Sequence, residues 1–253
     1  MKRTLENVVG YRLHGVDGSI GKVYDFFIDD QLWKIRYLVV ETGSWLNRRR
    51  VLISPASVTM KGNLGQLVVN LTQAQVQSSP DVDTDKPVSR QQEIVMNSHY
   101  GWPDYWMPEG VIVPQLVPVP PASAVDGDRH LRSFRELSSY HVTHNGERIA
   151  KVQDFVTDDR DWSIGEVIVS WGGWVDPRPV ALATTTIAYV SWDSQVIATA
   201  STAQDLENLS TFDPSRPANA EEQIVYFDYC GRIVGTDAGV HPASDSPHSL
   251  QVT

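Results

Sequence analysis

Displaced by 129 residues, this chain lies on top of itself. Tyr11, Ile20, Lys22, Val23, Asp25, Phe26, Asp29, Asp30, Trp33, Ile35, Val40, Gly43, Trp45 and Val51 fall on Tyr140, Ile149, Lys151, Val152, Asp154, Phe155, Asp158, Asp159, Trp162, Ile164, Val169, Gly172, Trp174 and Val180. Val39 falls on Ile168, and no net gap is needed across the stretch. A chain with such a period must build one small fold twice. With 253 residues, two units of ordinary domain size fit.

Both copies read as short strands separated by turns. In copy one, Val16-Asp17-Gly18 signals a hairpin turn, because Asp-Gly tolerates the positive φ such turns demand. Ile20 to Ile28 is rich in β-branched and aromatic residues, and Asp29-Asp30-Gln31-Leu32 closes it with turn chemistry. Trp33 to Thr42 alternates, with Ile35, Tyr37 and Val39 on one face and Arg36, Leu38 and Val40 on the other. A short strand at Val51 to Ser54 and a last hairpin over Val58 to Asn70 complete the unit. In copy two, His144-Asn145-Gly146 makes the first turn, Ile149 to Thr157 and Trp162 to Ser170 are the main strands, and Ile187 to Thr199 holds the last hairpin. The pattern predicts a mainly β protein of two tandem small antiparallel barrels, each enclosing its own core.

At an offset of 130, Asp83, Pro87, Ile94, Val95 and Gly101 match Asp213, Pro217, Ile224, Val225 and Gly231. Ser89-Arg90-Gln91-Gln92 and Asn219-Ala220-Glu221-Glu222 both read as helix starts. The expectation is a short docked helix at 90–99 and another at 220–229, buried through Ile94 and Val95 or Ile224 and Val225. The division that follows is copy one with its helix at 1–100, an aromatic and proline-rich connector at 101–130, copy two with its helix at 131–234, and a disordered tail at 235–253.

The run Ile20-Gly21-Lys22-Val23-Tyr24-Asp25-Phe26-Phe27-Ile28-Asp29-Asp30 resembles the PRC-barrel family. So do Trp33 to Thr42, Trp45-Leu46 and Arg50-Val51-Leu52-Ile53-Ser54-Pro55. The family is named for the cytoplasmic domain of the photosynthetic reaction-centre H subunit. It also includes the C-terminal domain of a ribosome-maturation factor. The segment Val82 to Arg90 is similar to the linker of members with two barrels in tandem. Copy two departs from the pattern: Ala150 stands at the Gly21 position, and Asp176-Pro177-Arg178-Pro179 replaces the basic run. The resemblance implies barrels of about six strands that dock other macromolecules, without catalysis.

Charge and cysteine content narrow the functions. The net charge is −10, which opposes generic nucleic-acid binding. Copy one is locally basic and copy two acidic: residues 1–75 hold ten Lys/Arg and six acids, and residues 131–205 hold six and ten. The contrast suggests that one copy orients against the other, or against a neighbouring protomer. Cys230 is the single cysteine, so no internal disulfide forms. No apolar run reaches the roughly 18–20 residues of a membrane span. The start, Met1 to Glu6, leads straight into the repeat, and a cytoplasmic location without membrane insertion is expected.

Several residues invite a functional reading. The pairs Asp29-Asp30 and Asp158-Asp159 suit turns as well as a divalent cation. Asp25 and Asp154, mid-strand, invite ion pairs with Lys22, Lys151 or Arg36. Trp33, Trp45, Trp162 and Trp174 recur as core plugs or as the floor of a groove. Arg48, Arg49 and Arg50 suit an anionic partner, or guard a sheet edge. Trp102, Tyr105, Trp106 and Met107 form the richest aromatic cluster and are the candidate interface. The histidines show no ligand spacing, and no nucleophile elbow, phosphate loop or dinucleotide fingerprint is present. The sequence-based expectation is a non-enzymatic adaptor with no cofactor and no metal, whose partner is protein, foremost a second copy of itself. Two alternatives remain open: RNA or ribosome association through copy one, and a small-ligand or redox-linked sensor.

Overall fold

The computed structural model describes residues 2–43, 49–60, 65–80, 90–106, 131–172, 177–213, 222–227 and 233–238. Copy one opens with β1 (Lys2–Thr4) and a one-turn helix α1 (Leu5–Val8). β2 (Arg12–Gly15) and β3 (Gly18–Asp29) form a hairpin, followed by β4 (Lys34–Thr42), β5 (Arg49–Ile53), β6 (Val58–Met60) and β7 (Gln66–Val69). Two helices follow, α2 (Gln73–Gln77) and α3 (Arg90–Tyr100). Copy two repeats the order with β8 (Leu131–Ser133), α4 (Phe134–Leu137), β9 (His141–His144), β10 (Glu147–Asp158), β11 (Ile164–Trp171), β12 (Arg178–Ala183), β13 (Ile187–Ser191), β14 (Val196–Thr199) and α5 (Ala203–Asn208). The β9–β10 turn has φ of 50° at Asn145 and 84° at Gly146, the Asn-Gly geometry that matches strand twist. Among the described residues, no helix is long and apolar enough to cross a membrane.

The protein is mainly β, with two curled sheets. Their orders are β5-β4-β3-β2-β7-β6 and β12-β11-β10-β9-β14-β13. The expectation of purely antiparallel sheets needs correction, because β2 pairs with β7, and β9 with β14, in parallel. The long β3 and β10 each carry a bulge at the same repeat position. Val23 pairs with Val40 and Asp25 with Val39, leaving Tyr24 extra; Val152 and Asp154 likewise leave Gln153 extra. A second irregularity lies opposite, where Phe27 pairs with Tyr37 but Ile28 with Ile35. Arg36 is therefore the extra residue of β4, and the alternation read from sequence breaks there. Ile35 joins Leu38 and Val40 in the main core, whereas Tyr37 and Val39 face an outer cluster with Met96.

The main core is one continuous cluster across both copies. Phe134 of copy two meets Phe26 of copy one edge-on at 6.2 Å and Phe155 at 6.0 Å, and Trp33 stacks on Phe155 at 6.2 Å. The expectation that each copy encloses its own interior gives way to this shared one. Its cause is a crossed packing: α1 lies against β10 and α4 against β3. Leu5, Val8, Phe134 and Leu137 are buried there.

The expected helix at 90–99 is α3, but its buried face differs. Glu93, Met96 and Asn97 are buried, while Val95 is 45% exposed. The hydroxyl of Tyr37 on β4 needs a polar partner, and it donates to Glu93 Oε2 at 2.9 Å. The second expected helix, at 220–229, is instead strand β15 (Glu222–Phe227), paired with β16 (Ile233–Ala238). Ile224-Val225-Tyr226-Phe227 is β-branched and aromatic, and a pairing strand outweighs the capping signal. The expected tail at 235–253 begins inside β16; its remainder lies outside the described residues.

Candidate functional site

The repeated residues converge on the junction between the copies. β1 of copy one adds to β10 of copy two, with Lys2 opposite Asp158, Arg3 opposite Thr157 and Thr4 opposite Val156. β8 of copy two adds to β3 of copy one, with Leu131 opposite Asp29, Arg132 opposite Ile28 and Ser133 opposite Phe27. The two registers are related by the same shift of 129, so a local two-fold axis relates the copies. The axis passes near a bridge between Lys34 and Ser163. There the Ile35 N–H donates to Trp162 O at 2.9 Å, and the Ile164 N–H to Trp33 O at 2.7 Å. Trp33 and Trp162 hold left-handed backbone angles of 48° and 60°. Such angles cost of order 1–3 kcal/mol for a residue with a side chain. Burial of the Trp162 indole and stacking of Trp33 on Phe155 offset that cost.

The bulges aim Asp25 and Asp154 across this junction. Asp25 accepts from its neighbour's Phe26 N–H at 2.8 Å, from the Ser133 hydroxyl at 2.6 Å and from the Arg135 N–H at 3.3 Å. Asp154 accepts from the Phe155 N–H at 2.7 Å, the Glu6 N–H at 3.2 Å and the Thr4 side chain. Each aspartate therefore caps the one-turn helix of the other copy. These amides and hydroxyls, rather than the anticipated Lys22, Lys151 or Arg36, are their described partners. Burial pushes both carboxyls above their ordinary range, and the hydrogen bonds oppose it.

Each acidic pair divides its labour. Asp29 accepts the Gln31 and Leu32 amides at 3.0 Å each and the Arg36 guanidinium at 2.8 Å. Asp158 accepts the Arg160 amide at 3.0 Å and its guanidinium at 2.6 Å, which holds its carboxyl well below the usual range. The second member of each pair reaches the other copy: Asp30 meets Arg132, and Asp159 meets Arg3, both at 3.2 Å. Lys2 adds a cross-copy bridge to Glu166 at 3.1 Å. Arg135 also lies over the bulged Tyr24 ring at 4.2 Å, with Arg50 at 3.9 Å. Adjacent carboxylates thus serve different partners, and no group of three acidic, His or Cys side chains suited to a metal occurs among the described residues.

The other candidates fall on the flanks of copy one. Trp102 stacks on Tyr100 with centroids 4.2 Å apart, and its N–H donates to Asn97 O at 2.9 Å. Tyr105 lies under the Arg36 guanidinium at 3.9 Å and meets Trp106 edge-on at 4.8 Å. The described connector aromatics therefore pack on their own copy and its helix. Arg49 donates to Gln77 O at 2.6 Å and to Ser79 O, closing the C-terminus of α2. A cleft of about 580 Å³ lies beside it, lined by Ser19, Gly21, Thr42 and Gln73, with no carboxylate among the described lining residues. Arg48, Trp45, Met107, Trp174 and Cys230 lie outside the described residues.

Sequence reasoning missed some repeated devices. Arg178, at the Arg49 position, donates to Leu206 O and Glu207 O at the end of α5. Thr72 with Gln75 and Thr202 with Asp205 form capping boxes at the starts of α2 and α5. Thr-x-x-Gln and Thr-x-x-Asp at an offset of 130 were the available signal. Arg3-Thr4 and Arg132-Ser133 were readable by carrying the shift of 129 back to the first residues.

No protein-family model matches the chain. An uncharacterised protein of Deinococcus radiodurans is 31% identical over 87 residues, covering 34% of this chain. The match spans 31% of that relative's length.

Proposed function

We propose that this chain is a non-catalytic docking module, a tandem of two PRC-like barrels acting in the cytoplasm and associating with a second copy of itself. One observation carries the reading: Asp25, Asp30, Asp154 and Asp159, with Trp33 and Trp162, hold one copy against the other. Here Asp25, Asp30, Asp154 and Asp159 bind cross-copy amides, hydroxyls and guanidinia. The described basic residues Arg49 and Arg50 are likewise engaged within the fold, which favours the docking reading over RNA binding through that run. What remains for a partner is surface where the copies differ. Sedimentation velocity across a wide concentration range tests the reading: a dimer is expected, and a monomer throughout overturns self-association. Turnover of any compound by the purified chain overturns the non-catalytic part.

A further inference from the structure

One cross-strand row keeps its register in both copies but changes its side chains. In copy one, Gly21, Thr42 and Arg49 stand side by side across β3, β4 and β5. In copy two, Ala150, Trp171 and Arg178 stand side by side across β10, β11 and β12. The two arginines do the same structural work. Each donates to a carbonyl at the end of the helix beside it, Arg49 to Gln77 O at 2.6 Å and Arg178 to Glu207 O at 2.7 Å. What lies next to the guanidinium differs. Arg178 lies over the Trp171 ring at 5.2 Å, a cation–π contact, and Trp171 packs against the main core. Copy one has a threonine at that place, and there the cleft of about 580 Å³ opens, a size within the range of small-ligand sites. Gly21, Thr42 and Arg49 line it, and Ser19, Gln73 and Gln77 add hydroxyl and amide groups. At the offset of 130, Ala203 takes the place of Gln73, so copy two also loses that amide.

We infer that this cleft binds a small planar aromatic molecule, neutral or anionic, with its ring against Arg49 where copy two holds its own indole. The second copy supplies the reason: this fold accommodates a flat ring beside this arginine, and copy one leaves the same place to a small side chain. Stacking uses the face of the guanidinium, so the bonds that Arg49 makes through its N–H edge to the end of α2 stay in place. The hydroxyl and amide groups around the cleft suit a ring with hydrogen-bonding edges. A guanidinium with no carboxylate among the described lining residues disfavours a cation. The site needs no second chain, so it stands apart from the self-association proposed above.

Titrating the isotope-labelled full chain with indoleacetate, read by amide chemical shifts, tests the inference. Saturable shifts are expected at residues 19–21, 42–43 and 73–77, and none at the matching residues 148–150 and 171–172. Tryptamine, with the same ring and a positive charge, binds about tenfold more weakly. Cyclohexanecarboxylate, with the charge but no aromatic face, also binds about tenfold more weakly. Thr42→Trp, which copies the second half of the chain, removes the binding with an unchanged circular dichroism spectrum. Absence of shifts at millimolar indoleacetate, or equal shifts on both copies, overturns the inference on the unmodified chain, whether or not the variant folds. Equal binding of either comparison probe, or full binding by a folded Thr42→Trp chain, overturns it too. Sedimentation decides self-association separately, and neither result prejudges the other.

Discussion

Gly21 and Ala150 occupy the same repeat position, yet only one has room for a methyl group. A Cβ on Gly21 would lie 2.1 Å from Glu41 O, a backbone atom that cannot rotate away. Gly21→Ala therefore costs about 1–3 kcal/mol in urea unfolding. The buried carboxyls predict an unusual pH response. Asp25 and Asp154 titrate above the unfolded value of about 3.9, so the folded chain takes up their protons first. Each site thus adds stability as pH falls, and the gain is complete below the unfolded value. Asp158, held low by Arg160, acts in the opposite sense: its contribution is present above about 3.9 and lost as pH falls further. Measured against the parent, Asp25→Asn with Asp154→Asn loses ground as pH drops from neutral, whereas Asp158→Asn regains ground only below about pH 4. The recurrence of these aspartates was legible in the sequence. Their partners were not, because a bulge that redirects a side chain leaves no mark in a pattern of alternation.

Among the elements, α3 shows what burial against a polar hydroxyl demands. Tyr37→Phe removes the donor to the buried Glu93 carboxylate and costs about 1.5–3 kcal/mol. Met96→Ala, emptying the outer cluster, costs about 2–5 kcal/mol. Val95→Ala stays within about 0.5 kcal/mol, since Val95 points to solvent. Thermal or denaturant unfolding of the three variants checks the order. The capping signal at residues 89–92 located this helix well, but hydrophobicity alone named the wrong face. In copy two the same kind of signal failed outright, because Val225, Tyr226 and Phe227 favour an extended chain once a second strand is available. The single-turn helices α1 and α4 were unreadable for another reason. Four residues hold no period, and each is capped by an aspartate from the far half of the chain.

At the scale of the molecule, the period of 129 revealed two copies but not their union. The junction depends on β1 and β8, three residues each, which no propensity argument can find. A continuous core predicts one cooperative unfolding transition for the two described sheets, with calorimetric and van't Hoff enthalpies in agreement. Arg132→Ala, which deletes the buried pair to Asp30, lowers that transition by about 3 kcal/mol without splitting it. Two resolved transitions would show that the copies unfold independently. The exchange of strands also bears on biosynthesis. Arg132 lies 102 positions beyond Asp30, so the leading half leaves the ribosome before the segment that completes its sheet has been translated. At roughly 5–20 residues per second, that half waits on the order of 5–20 s with one edge of Phe27–Asp29, the end of β3, unpaired, a window in which a chaperone has something to hold.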